Sequence, residues 1–195
     1  MKTRDVQRRA TNAKVLASAD RLFRTQGFAQ TTIREIAAAG GVSVGTVMSV
    51  GDKNALLLEC FDQRIREVHV QRGGAADSRV QAGITEQIME LFGPFLLLFS
   101  SDFALARTYG SILVLGAHES SVFTELAARL SGEIAAVLRE GGVPVERAAA
   151  LAGGIYFAYI GRLFTWPGDA PDVHALRDSL RSVIAALTKH AGEGE

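Results

Sequence analysis

Apolar residues recur along this chain at intervals of three and four, and strict apolar/polar alternation is nowhere sustained, so the pattern predicts an all-α protein. A first helix covers about residues 7–25, with Val15, Leu16, Ala19, Leu22 and Phe23 as its buried stripe. Residues 31–56 then spell two short helices around a pair of glycines. Thr32 and Glu35 have the spacing of a capping box ahead of Ile33, Ile36 and Ala37. Gly40 and Gly41 end that helix, Val42 can bury at the elbow, and Ser43 is placed to cap the next one, Val44 to Val50. Asp52 is placed to cap a further helix running to about Val70, and residues 71–79 read as a polar, glycine-bearing loop.

Beyond that loop the pattern gives five more helices. One covers about residues 81–99 and contains Pro94, which removes a backbone donor and should kink it. The next runs from Asp102 to about Ala117, and another from Ser121 to about Arg139, stopped by Gly141-Gly142. A strongly apolar helix follows Pro144 and ends near Trp166 at Pro167-Gly168. The last spans about Asp172 to His190, with Val173, Leu176, Leu180, Val183, Ile184 and Leu187 on one face. The helix after Pro144 is apolar on most of its circumference and carries Gly153, Gly154, Ala158 and Gly161. Small residues allow close helix approach, and a helix apolar all round needs cover on several sides. With the final helix it predicts a two-fold, four-helix homodimer interface, the alternative being burial of both helices within one subunit.

Two short helices at a tight glycine turn form a device for placing the second in the major groove of DNA. The charge distribution agrees. Net charge is zero over the chain, yet residues 1–56 hold nine Lys and Arg against four Asp and Glu, while residues 57–195 hold twelve against seventeen. Lys2, Arg4, Arg8, Arg9 and Lys14 crowd the start, where they can meet phosphates.

The stretch from about Asn12 to Leu58 resembles the DNA-binding domain of the TetR family of bacterial transcriptional regulators. The matching pieces are Leu16, Ala19, Leu22 and Phe23, then Gly27-Phe28, Thr31-Thr32, Ile36-Ala37, Gly41-Val42-Ser43, Gly45-Thr46, and Lys53 with Leu56-Leu57. Where the family pattern has Tyr-x-Tyr-Phe at the end of the recognition helix, this chain has Met48-Ser49-Val50-Gly51, and one residue is missing before Lys53. No Arg, Lys, Asn or Gln stands between Val42 and Val50, so bidentate base contacts are absent there, and hydroxyls together with Val44 and Val47 on thymine methyl groups are left to read the bases.

The resemblance implies an all-α chain with a helix-turn-helix domain over residues 1–52 and a helical ligand-binding and dimerisation domain over residues 53–195. It implies a homodimeric, ligand-responsive regulator, a repressor released from a double-stranded DNA operator by a small apolar or aromatic effector. The DNA-binding candidates are Thr31, Thr32, Arg34, Ser43, Val44, Thr46, Ser49 and Lys53, with Lys53 and Thr46 as backbone anchors and Val44 and Ser49 facing bases. Aromatic residues concentrate in the larger part, and the effector candidates are Phe95, Phe99, Phe103, Arg107, Tyr109, His118, Phe123, Tyr159 and Trp166. The rival reading is a helical small-molecule or protein-binding module whose helix-turn-helix no longer reads DNA.

Enzyme chemistry finds little support. The sequence holds none of the phosphate-loop, dinucleotide, nucleophile-elbow or zinc-protease motifs, and His69, His118, His174 and His190 lack metal-ligand spacing, so no cofactor or metal is expected. His118-Glu119 is the only adjacent acid–base pair. The single cysteine, Cys60, cannot form an internal disulfide, which agrees with a reducing cytoplasm, and it reads as core or flank. No targeting peptide is visible, and the apolar, uncharged run Ala148 to Gly161 falls short of the ~20 residues that span a bilayer, so a soluble cytoplasmic protein is expected.

Overall fold

The computed structural model describes residues 2–72, 82–168 and 172–189, with side chains from residue 4 onward. Nine helices and no strand are found among the described residues. They are α1 (Lys2–Gln26), α2 (Ile33–Gly40), α3 (Val44–Val50), α4 (Lys53–Arg72), α5 (Ile84–Ser100), α6 (Phe103–Leu115), α7 (Ser121–Glu140), α8 (Val145–Thr165) and α9 (Val173–Thr188). The all-α expectation holds. Helix α4 runs two residues past its expected end, so the loop expected at 71–79 begins as helix, and its remainder lies outside the described residues, as does His190. Helix α5 continues through Pro94. Helix α1 begins five residues earlier than the apolar stripe suggested, because Lys, Arg and Gln favour helix without needing a buried face.

The chain forms two compact units, residues 1–64 with 104–120 and residues 65–103 with 121–195. In the first, Val15, Ala19 and Phe23 of α1 are buried, and α1 packs on α2 and α3. From α4, Leu56, Leu57 and Phe61 complete this core, and Phe61 stacks on Tyr109 of α6 at 4.7 Å. The hydroxyl of Tyr109 donates to buried Asp62 at 3.1 Å, and that of Ser120 donates to the same carboxylate oxygen at 2.7 Å. Cys60 is buried as expected, its thiol 3.7 Å from the Leu16 carbonyl, and burial pushes the thiol up to about 12.

In the second unit α7 packs on α8, α8 on α9, and α5 on both α7 and α9. Of the face expected on α9, Leu176, Leu180 and Ile184 are fully buried, Val173 and Val183 are half-buried and Leu187 is exposed, and Asp172 caps the helix by accepting from the backbone N–H groups of His174 and Ala175. Arg181 joins α9 to α5 through two hydrogen bonds to Glu86, at 2.7 and 3.3 Å. Helix α8 is long and apolar enough, by length and composition, to cross a membrane, more than the uncharged run suggested. It nonetheless buries Ile155, Tyr159 and Leu163 inside this unit, while Phe157 and the Gly154 and Gly161 positions remain exposed.

Candidate nucleic-acid interface

Local bonding fixes each helix end of the head. The Thr32 side chain accepts from the Glu35 N–H at 3.2 Å, and Glu35 accepts from the Thr32 N–H at 2.8 Å, closing the capping box. These bonds from Thr32 hold the Glu35 carboxyl below its ordinary range. Gly41 ends α2 at φ 62°, a left-handed conformation that glycine adopts without steric cost, and the Val42 N–H reaches back to the Ala37 carbonyl at 3.0 Å. Ser43 then accepts from the Thr46 N–H at 3.1 Å and starts α3, which leaves α2 at 104°. Ile36, Ala37 and Val47 are buried and hold the pair together.

The phase of α3 corrects one expectation. Val47 is 0% exposed and cannot reach a thymine methyl, because it is the residue that anchors α3 to the core. Val44 and Met48 project instead, at 43% and 51% exposure, with Ser49 beside them on the surface. The hydroxyls of this face are already in internal bonds, Ser43 with Thr46 at 2.9 Å and Ser49 donating to the Thr46 carbonyl at 2.7 Å. Thr32 and Arg34 are exposed on α2 and its cap.

Two candidates serve the turn before α2. Thr31 is 1% exposed, and its hydroxyl donates to the Gly27 carbonyl at 2.8 Å. Lys53 donates to the Thr31 and Ala29 carbonyls at 2.9 and 3.4 Å, with its ammonium 4.4 Å from the centre of the Phe28 ring. The shortened junction has a clear cause for its glycine. A Cβ on Gly51 would lie 2.8 Å from the Ala55 Cβ, so α4 begins too close for any side chain there. Asp52 caps α4 by accepting from the Ala55 N–H at 2.8 Å, and His118 Nε2 lies 3.1 Å from both of its oxygens. The Ala55 bond first, then His118, holds the Asp52 carboxyl below its usual value.

The effector candidates fall into both units. Arg107, Tyr109 and His118 belong to the first, where Tyr109 and His118 are engaged with Asp62 and Asp52 and Arg107 is exposed. Phe95, Phe99, Phe103, Phe123, Tyr159 and Trp166 belong to the second. Phe95 lies under His69 and Arg72, each at 5.2 Å; Phe99 meets Phe164 edge-on at 5.9 Å; Phe103 is buried, and Phe123 and Trp166 are half-buried. Tyr159 stacks on Phe92 at 4.2 Å. Its hydroxyl, that of Tyr156 and Nη1 of Arg72 are buried and find no hydrogen-bond partner among the described residues. Burial pushes the Tyr156 phenol up to about 12 and that of Tyr159 well above its ordinary value. Tyr156, three residues before Tyr159 on the same helix face, belongs to the aromatic concentration of the larger part but not to the effector candidates, and Arg72 is absent from both, since nothing in the apolar pattern marks a polar atom that lacks a partner. Among the described residues no cluster of His, Cys, Asp and Glu could hold a metal ion.

A short exposed helix, presented at a steep angle by a capped partner, is the arrangement of helix-turn-helix DNA-binding proteins. Residues 15–60 match the family model of the bacterial regulatory proteins of the tetR family. The fold of the whole chain is similar to that of FadR from Thermus thermophilus, a TetR-family transcriptional repressor in complex with lauroyl-CoA, at a TM-score of 0.60, with 22% identity over 94% of this chain and 95% of that one. It is also similar to the transcriptional regulator FadR from Bacillus subtilis in complex with stearoyl-CoA, at a TM-score of 0.51 and 17% identity over 94% and 98% of the two chains. Comparison with curated proteins finds no match. Residues 15–60 thus carry the tetR-family DNA-binding pattern, and the chain as a whole shares the fold of these regulators.

Proposed function

We propose that the protein is a homodimeric, non-enzymatic regulator in the cytoplasm that binds an operator through α2 and α3 and is released from it by a small apolar molecule. The observation that carries this reading is the intact head. Each cap is bonded, the α2–α3 angle is 104°, and Val44, Met48 and Ser49 project from α3. Thr32, Arg34, Ser43, Val44, Thr46 and Ser49 form the DNA-facing set, with Met48 added. Thr31 acts by shaping the turn. Lys53 bridges two carbonyls and keeps one N–H for a phosphate. Because α3 offers apolar surface and hydroxyls, base reading rests on thymine methyl groups and single hydrogen bonds.

Dimerisation through α8 and α9 is supported by the exposed Phe157 and the small residues along α8. The effector site lies among the aromatic residues of the second unit, with the Tyr156 and Tyr159 hydroxyls as donors for a polar group on an otherwise apolar ligand. The acyl-CoA complexes of the two FadR proteins make long-chain acyl thioesters the first class to test. Ligand would act by its differential affinity for two arrangements of the paired heads, on a scale of ~1 to 3 kcal/mol.

Site selection from random duplexes, followed by titration of the recovered operator with and without acyl-CoA, tests the reading. Two half-sites about one helical turn apart and weaker binding with ligand are expected. Recovery of no site, together with no salt-dependent retention on DNA, would favour the rival binding-module reading. In the same assay Lys53→Ala should weaken binding to all sequences and lower the log-log salt slope by ~0.9, the value of one phosphate contact.

A further inference from the structure

The first unit contains a groove of about 620 Å³ between α1 and the start of α4, closed at one side by the segment that follows α6. That volume lies within the range of small-molecule sites. Its apolar wall comes from Leu16, Val50 and Leu56, and its polar lining includes Glu59, Asp62, His118 and Glu119, with Arg9 as the opposing cation. Asp62 is already used by Tyr109 and Ser120. His118 is the informative residue. Its Nε2 faces both oxygens of Asp52, so that nitrogen carries the proton and donates. In the neutral ring Nδ1 is then an acceptor, and it is buried with no partner among the described residues. A buried acceptor without a donor costs stability, and a ligand N–H would relieve that cost.

We propose that this groove binds a small organic cation, an amine on an apolar body, whose N–H donates to His118 Nδ1 and whose charge faces Glu59 and Glu119. The apolar body lies along Leu16, Val50 and Leu56. Nothing in this assignment depends on the effector site of the second unit, and the ligand carries the opposite charge from an acyl-CoA. The ring that receives the amine also holds Asp52, the cap of α4, so occupancy is felt at the junction that follows α3.

The full-length protein, isotopically labelled, is titrated with naphthylmethylamine, naphthylmethanol and naphthoate while amide and imidazole shifts are followed. The amine should bind about tenfold more tightly than the alcohol, as one charge-assisted hydrogen bond implies, and the carboxylate more weakly still. Its largest shifts should fall on His118, Leu16 and Glu119. Glu119→Gln, at an exposed position, should reduce amine affinity at least about threefold while leaving the alcohol unchanged. Ala13→Trp, which fills the groove from the exposed face of α1, should abolish binding without altering the thermal transition. Equal affinities for the three probes, shifts confined to the second unit, or unchanged binding by Ala13→Trp would each overturn the assignment.

Discussion

Tyr109 and Tyr159 are both fully buried and both stacked on a phenylalanine, yet they have opposite polar surroundings. The hydroxyl of Tyr109 meets Asp62, which also takes Ser120, so the interior of the first unit closes its own hydrogen bonds. The hydroxyl of Tyr159 meets no hydrogen-bond partner among the described residues, and that of Tyr156 repeats this one turn earlier. A buried unsatisfied group costs ~1 to 3 kcal/mol. The first arrangement serves the scaffold; the second suits the effector site proposed above, where a ligand would bring the acceptor.

The largest test of this contrast is Asp62→Leu. It strands two buried hydroxyls at once and should lower stability by about 3 kcal/mol in urea unfolding. A loss under ~1 kcal/mol would mean that the Asp62 cluster contributes little. Next come the tyrosines themselves, whose substitutions should move stability in opposite directions. Tyr109→Phe removes a made bond and should cost about 1 kcal/mol, whereas Tyr159→Phe removes an unmade one and should gain up to about 1 kcal/mol in the free protein. Losses of equal size at both positions would erase the distinction.

The smallest effect is on the alkaline limb. Cys60 and Tyr156 are both pushed up to about 12 by burial. The unfolded chain releases these protons at their ordinary values while the folded chain retains them, so stability should fall as pH rises from the ordinary thiol range toward 12. Tyr156→Phe should make that fall shallower in chemical denaturation at a series of pH values, and an identical slope would show that the phenol ionises equally in both states.

What the sequence disclosed was whatever depends on near neighbours. Thr32, Ser43, Asp52 and Asp172 are caps whose partners lie two or three residues away, and each is bonded as its spacing predicts. The bonds that position the candidate interface cross 22, 47 and 66 residues, in Lys53 with Thr31, Tyr109 with Asp62 and His118 with Asp52. Only packing decides such partners, so no pattern announces them. The exchange of Val47 for Met48 on the outer face has another origin. Seven residues hold too few apolar positions to fix the rotation of a helix, and the burial of α3 is settled by α1 and α2.

At Gly51 the approach of Ala55 leaves no room for a side chain. A long tether absorbs motion and a taut one transmits it. With Gly51 and Asp52 alone between α3 and α4, a twist in the first turn of α4 has no slack in which to dissipate, and under the proposed function the DNA-facing side of α3 would turn with it. A relay of that kind would gain sensitivity and give up the freedom to adjust to imperfect half-sites.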